Sequence, residues 1–137
     1  MKRFIVIFAV FFLVFISACS ISPRTSIWNS PQRFTKSQVF NAGLQAGMQS
    51  GMQNTASDRE SGTMSFTKSI GGGQLILNSL VTEKGKVVQV RTTVNVGGAV
   101  TLSGLHESVI KKYNDQLFLN LGITDPSEKN VNVEVAK

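Results

Sequence analysis

Alternation of apolar and polar residues predicts β-strands in the middle of the chain. The clearest segment is KVVQVRTTVNV at residues 86–96, and TMSFTKSI at 63–70 alternates in the same way. LILNSLV at 75–81 is mostly apolar, and short turns rich in glycine or charged residues separate the three segments. One face of residues 86–96 is almost entirely valine, so it should pack on a core and leave the other face exposed. That other face carries Gln89, Arg91, Thr93 and Asn95, and its counterpart in residues 63–70 carries Thr63, Ser65, Thr67 and Ser69.

Two segments with helical spacing flank these strands. The first has apolar residues at every fourth position after a candidate N-cap at Thr35 or Ser37. The second, residues 106–121, ends before Gly122, which is typical of a left-handed C-cap. The apolar stripe of the first helix is Phe40, Leu44 and Met48, and that of the second is Ile110, Tyr113, Leu117 and Leu121.

Three glycines, Gly43, Gly47 and Gly51, are spaced four apart in the first predicted helix. An interior glycine costs a helix about 1 kcal/mol relative to alanine, so some benefit is expected in return. Such spacing joins helices within membranes, but Gln45 and Gln49 disfavour a membrane segment here. We therefore expect the helix to approach a sheet closely, with Gly51 as an alternative C-terminal stop.

The order helix, strands, helix predicts an α+β fold for residues 37–123. We expect two layers: a three- to four-stranded antiparallel sheet with a helix before it and a helix after it, both packed on one face. The uncovered face should be polar, as antiparallel sheets permit. Residues 124–137 form a C-terminal tail whose VNVEV segment, 131–135, either adds an edge strand or is disordered.

Residues 19–36 are predicted to form a flexible tether, because Pro23, Pro31 and several serines discourage regular structure. Trp28 and Phe34 lie within this stretch. Amphipathic aromatic side chains are favoured at a lipid surface, but they also dock readily on a folded domain. Both alternatives remain open for this pair.

The first 18 residues have the organisation of a secretory signal peptide. Lys2 and Arg3 precede an apolar run from Phe4 to Ile16, and small residues follow it. A retained transmembrane helix is the alternative, but a span needs about 20 apolar residues, which is more than this run supplies.

The residues Ile16-Ser17-Ala18-Cys19 resemble the lipobox of bacterial lipoproteins. This resemblance implies cleavage before Cys19, a diacylglycerol on its sulfur and usually an acyl chain on its new amino group. One chain binds a membrane only marginally, whereas two or three hold a protein stably. Ser20 stands where many Gram-negative lipoproteins destined for the inner membrane have aspartate, so the resemblance implies the outer membrane, facing the periplasm. The chain is also similar to small uncharacterised α+β envelope lipoproteins, a similarity that carries over no active-site residue.

Composition argues against several classes of function. The formal net charge of +6 falls to about +4 when residues 1–18 are removed, and no dense basic cluster supports nucleic-acid binding. The single cysteine, Cys19, permits no disulfide within the chain. His106 is the single histidine, and it has neither a zinc-binding pattern nor a nucleophile motif around it. We therefore expect no catalytic residues, no metal site and no cofactor.

These features favour a non-enzymatic envelope lipoprotein that docks a protein partner through the exposed sheet face. Arg91, Thr93 and Thr67 are the candidate contact residues, since arginine is enriched at interfaces. An ordinary solvated face is the alternative for these residues. A carrier of a small apolar ligand or lipid, with a pocket between sheet and helices, is the second function, and an enzyme with an unrecognised site is the third.

Overall fold

The structure is a computed structural model that describes residues 22–98 and 104–135. Within those residues the chain forms an α+β fold, as the order of the patterns predicts, and it has two helices and six strands. The elements are β1 (Arg24–Asn29), α1 (Lys36–Gln49), β2 (Gln53–Asp58), β3 (Thr63–Ile70), β4 (Gly73–Lys84), β5 (Val87–Gly98), α2 (Leu105–Asn120), a 3-10 turn (Pro126–Lys129) and β6 (Val131–Val135).

All six strands lie in one antiparallel sheet with the order β2-β3-β4-β5-β1-β6. The predicted number of three to four strands was too low, because β1 and β6 come from the stretches assigned to the tether and the tail. β1 lies between β5 and β6, and Arg24 is paired with Val94 on one side and Val135 on the other. The first and last described strands are therefore neighbours.

The prediction of a flexible tether is wrong for residues 24–36. Arg24–Asn29 is a strand, and α1 begins at Lys36 after its N-cap at Thr35. Pro23 and Pro31 lie outside the strand at its two ends, so neither removes a hydrogen bond from the sheet. Residues 19–21 lie outside the described residues.

Trp28 explains why this segment is ordered. Its side chain is 1% exposed in the core, and its ring contacts that of Phe118 edge-on at a centroid distance of 5.1 Å. The indole Nε1 donates a hydrogen bond to the main-chain oxygen of Glu128 at 2.8 Å. Phe34 packs partly buried against the same core. Of the two alternatives for these aromatics, docking on the domain is confirmed.

The C-terminal tail contributes to the sheet through β6. Val131 is paired with Trp28, and Val133 with Ser26, so the edge-strand alternative is confirmed for residues 131–135. The 3-10 turn before β6 is capped by Asp125, whose carboxylate accepts from the main-chain nitrogen of Ser127 at 2.8 Å.

Both helices pack on the same face of the sheet. A Cβ atom added at Gly47 in α1 would overlap the Phe66 ring of β3, which confirms the predicted close approach of this helix. The buried face of α1 is centred on Ala42, Gly43, Ala46 and Gly47, whereas Met48 from the predicted stripe is 50% exposed. Gly51 has φ +79° just after the helix, so it also serves as the predicted stop. Over the described residues, neither helix is both long and apolar enough to cross a bilayer.

A row of hydroxyls crosses the otherwise apolar core. Ser79, Thr92 and Ser26 are adjacent on β4, β5 and β1, and all three are buried. The Tyr113 hydroxyl of α2 donates to Ser79 Oγ at 3.2 Å, so the helix is fixed to the sheet by a buried hydrogen bond. A Cβ atom at Gly43 would lie 2.8 Å from the same hydroxyl, so the absence of a side chain there leaves room for it.

Candidate functional site

The face of the sheet opposite the helices is the candidate functional surface, because nothing in the described residues covers it. Strand alternation places the predicted contact residues Arg91, Thr93 and Thr67 on this face. Arg91 and Thr93 are consecutive outward positions of β5, whereas Thr67 lies on β3.

A shallow groove of about 370 Å³ lies across this face, over β3, β4 and β5, and reaches Ala56 on β2. We call it the β-face groove. Arg91 and Thr93 both line it, so the structure brings these two predicted residues together. Thr67 does not line it, because it belongs to the next row of paired residues with Ile76 and Asn95. The outward side chains of the groove are Ala56, Thr63, Ser65, Asn78, Leu80, Arg91 and Thr93.

The polar groups of the β-face groove are ordered by hydrogen bonds between strands. Ser65 Oγ donates to Asn78 Oδ1 at 2.7 Å, and the hydroxyls of Thr93 and Thr25 are 3.1 Å apart. These four residues are successive members of one row across β3, β4, β5 and β1. A row of fixed hydroxyl and amide groups can therefore accept and donate hydrogen bonds to a docked molecule with little loss of side-chain freedom.

Arg91 is the cation of the groove. Its residue is exposed, and among the described residues it has neither an ion pair nor a side-chain hydrogen bond. Its paired neighbours are Leu80 on β4 and Ile27 on β1. The guanidinium therefore projects from between two aliphatic side chains.

The uncovered face is less polar than the sequence predicts. Ile27, Ile76 and Leu80 all lie on it, and each is partly rather than fully exposed. The signal was present in LILNSLV, since a strand with apolar residues on both faces is typical of a sheet that is at least partly buried on both sides. Asn78 and Leu80 also line the groove. They were not predicted as contact residues, because the segment 75–81 is mostly apolar and indicates a buried strand.

His106 lies in the first turn of α2 and is 7% exposed. Its Nε2 atom has no hydrogen-bond partner among the described residues. Burial lowers the pKa of His106, the nearby Arg24 lowers it further, and Glu107 acts in the opposite direction. No hydrogen bond in the described part of the chain joins the imidazole to a serine or a carboxylate. Residues 22–98 and 104–135 also contain no cluster of potential metal ligands.

The space between sheet and helices is filled where a carrier would need a pocket. Phe66, Tyr113, Met64 and Trp28 are fully buried there, and the rings of Phe66 and Tyr113 are 6.3 Å apart. This packing does not favour the carrier alternative.

A second groove, of about 240 Å³, lies at the surface between α2 and β6. Ile110, Phe118 and Val133 form its apolar part, with Lys111 and Asp115 at the rim. These two charged side chains are joined at 2.6 Å, so they satisfy one another rather than present a free charge.

The predicted lipidation site, Cys19, lies outside the described residues, as does the whole of residues 1–18. Lipidation of Cys19 therefore remains a prediction from the sequence. The first strand that the structure describes begins at Arg24.

Comparisons with known proteins yield no family model that matches and no curated protein that matches. Among solved structures, the chain is similar to the crystal structure of TTHA0849 from Thermus thermophilus, with a TM-score of 0.47 and 11% identity. The match covers 72% of this chain and 93% of that one. At that level of similarity the match carries no argument about family or function.

Proposed function

We propose that this protein is a non-enzymatic envelope lipoprotein, anchored by lipid on Cys19, that docks a protein partner through the β-face groove. In a Gram-negative cell the mature protein would lie on the periplasmic side of the outer membrane. The proposal combines the lipobox-like sequence before Cys19 with the composition of the uncovered sheet face.

The observation that carries the docking proposal is the setting of Arg91. An unpaired guanidinium lies between Leu80 and Ile27 on a face that no described element covers. A face that served only solubility would need neither aliphatic side chain. Interfaces, in contrast, commonly combine arginine with apolar contact area.

The chemistry of the groove indicates what kind of partner fits. An exposed ion pair contributes at most about 1 kcal/mol, so Arg91 alone cannot hold a partner. Burial of apolar area contributes about 25 cal/mol per Å², which assigns most of the affinity to Leu80 in the groove and to Ile27 and Ile76 beside it. The partner surface should therefore be apolar, with one acidic side chain placed to meet Arg91.

Site-specific photocrosslinking in native membranes tests this proposal. A photoreactive residue at Thr93 should give a discrete adduct with one envelope protein. The matched control is the same residue at Lys112, which is exposed on α2 away from the groove. Arg91→Glu in the Thr93 probe should lower the yield of the adduct, because it replaces an attraction by a repulsion. It should leave the melting temperature nearly unchanged, because Arg91 has no partner among the described residues to lose.

Two results would contradict the proposal. One is an absence of any adduct at Thr93 under conditions where the protein is present at its normal level. The other is an adduct of equal yield from Thr93 and Lys112 that survives Arg91→Glu.

A further inference from the structure

The start of β1 leaves very little chain between the proposed anchor and the folded domain. Four residues, Ser20 to Pro23, separate Cys19 from Arg24. Five Cα-to-Cα steps span at most about 18 Å, whatever path the chain takes. The domain is therefore confined to the immediate vicinity of the bilayer surface, provided that Cys19 is lipidated as proposed above.

Strand register shows which end of the domain must face the bilayer. β1 is antiparallel to β5, so β1 followed backwards from Asn29 to Arg24 points in the direction in which β5 runs to Gly98. Arg24 is paired with Val94, and Gly98 lies four residues further along β5. At 3.3 Å per residue, the end of β5 therefore projects about 13 Å beyond Arg24 towards the membrane.

The β3–β4 hairpin ends at the same level. Gly98 is paired with Gly73, which is in turn paired with Ile70, and Gly71 and Gly72 form the turn between them. The linker of residues 20–23 allows Cys19 to lie at most about 18 Å from Arg24, and the end of the sheet projects about 13 Å beyond Arg24. These two lengths differ by only about 5 Å. The polar headgroup layer of one leaflet is itself about 5–8 Å thick.

We infer that the glycine-rich end of the sheet, Ile70–Gly73 with Gly97–Gly98, is a bilayer contact surface that rests on the lipid headgroups. This inference rests on the proposed lipid anchor and adds the orientation of the domain. The strands then run along the membrane normal, and the β-face groove faces sideways, where it meets partners beside the protein rather than above it.

The composition of this end suits a headgroup layer. Residues 70–73 and 97–98 contain no acidic side chain that anionic lipids would repel, and glycine leaves no bulky group to be displaced. The carboxylate near this end, Glu107 in the first turn of α2, lies 3.9 Å from the Arg24 guanidinium. Ile70 is its aliphatic side chain and is partly exposed. Lys68, on the same strand, adds a cation. The opposite end of the sheet is the β4–β5 hairpin with Lys84 and Lys86. It lies about 40 Å away along the strands.

Fluorescence quenching on the full lipidated chain tests the orientation. The sulfur of a lipidated Cys19 is blocked, so a second cysteine takes a thiol-reactive dye selectively. Gly71→Cys places the dye at the proposed contact, where an added Cβ meets no neighbour within 4 Å and the φ angle is not positive. Lys86→Cys is the control at the far end. Both variants are reconstituted in vesicles of phosphatidylethanolamine and phosphatidylglycerol that contain a quencher attached to lipid headgroups.

We expect the dye at residue 71 to be quenched at least about twice as strongly as the dye at residue 86, since only the former reaches the headgroup layer. A flexible Gly/Ser insert of about 20 residues between Ser22 and Pro23 adds about 25 Å of reach and should reduce the quenching at 71 towards that at 86. Equal quenching at the two positions in the wild-type linker overturns the inference, as does quenching at 71 that the insert leaves unchanged.

Failure of the anchor itself gives a different result. If Cys19 is not lipidated, it takes the dye itself and the protein does not float with the vesicles. That outcome overturns the proposed function together with the inference. Protein that floats but shows equal quenching at the two positions overturns the orientation alone.

Discussion

The indole of Trp28 donates a hydrogen bond to the main-chain oxygen of Glu128, 100 positions further along the chain, at 2.8 Å. Arg33 strengthens the same connection, because its guanidinium makes a bidentate ion pair with the Glu128 carboxylate. This ion pair lowers the pKa of Glu128 and raises that of Arg33. The two ends of the described chain are thus held together through the turn that precedes β6.

Replacement of Trp28 should separate the packing of its ring from its hydrogen bond. Trp28→Ala leaves a cavity beside Phe118 and should lower the free energy of unfolding by about 3–5 kcal/mol. Trp28→Phe keeps much of the ring but leaves the Glu128 carbonyl without its donor, which should cost less. Ile27→Ala, next along β1 on the uncovered face, is the control. Urea denaturation followed by circular dichroism measures all three, and a larger loss from Ile27→Ala than from Trp28→Ala would contradict the burial.

Gly47→Leu should destabilise the domain by about 1–3 kcal/mol, because the new side chain overlaps the Phe66 ring and forces α1 away from β3. Gln45→Leu places the same side chain on the exposed face of α1 and should change stability by less than about 0.5 kcal/mol. The direction of the change in melting temperature, measured by thermal denaturation, tests this prediction. If Gly47→Leu raised the melting temperature, the close contact between helix and sheet would be wrong.

Tyr113 should make stability depend on pH in the alkaline range. Burial raises its pKa to about 12 from the usual value of 10.0, although the hydrogen bond with Ser79 opposes the shift. The unfolded chain therefore loses this proton first, so the contribution is fully present below pH 10 and is lost as the pH rises towards 12. The slope is at most about 1.4 kcal/mol per pH unit.

The single tyrosine of the chain makes this measurement direct. The absorbance of tyrosinate should appear near pH 12 in the native protein and near pH 10 in urea. Tyr113→Phe should show a shallower decrease of unfolding free energy above pH 10 than the wild-type protein. A native titration midpoint at pH 10 would show that the hydroxyl is not buried.

Cys19→Ala should abolish metabolic labelling with a fatty acid and leave precursor or misprocessed protein. Ser20→Asp should move part of the protein to the inner membrane of a Gram-negative host, because an acidic residue at that position favours retention there in the proteins whose lipobox this sequence resembles. Flotation and membrane fractionation measure both effects. A Cys19→Ala protein that still matured and floated would exclude the lipid anchor.

Local patterns predict the centre of this fold well and its ends poorly. The alternation in residues 86–96 and the caps at Thr35 and Gly122 depend on neighbours in sequence, and the structure agrees with all three. β1 and β6 are short, and their partners are distant in sequence: β1 is paired with β5 and β6, and β6 is paired with β1. Composition alone cannot show that pairing. Pro23 and Pro31 therefore suggested a loop, whereas they lie just outside the two ends of a strand.

The sequence predicts the residues of the candidate surface only in part, because the positions of strands relative to one another again decide the rest. Period-two alternation places Arg91 and Thr93 on one face, because consecutive residues point to opposite sides of a strand. Register between strands decides which residues become neighbours, and it cannot be read from any one strand. This is why Thr67 was grouped with Arg91 although it lies two rows of outward residues away, and why Leu80 was missed.

The position of β1 in the sheet also sets the order in which the protein can fold. It is the first described strand, yet its partners lie near and at the other end of the described chain, with Thr25 and Thr93 separated by 68 positions. Contacts so distant in sequence make folding slow relative to helical domains of the same size. During synthesis, residues 24–29 emerge before the strands that flank them, so the sheet cannot close until residues 131–135 have followed. A chain that ended before Val131 would leave one edge of β1 unpaired and Trp28 without its neighbour Val131, and such an open edge is a site for aggregation or proteolysis.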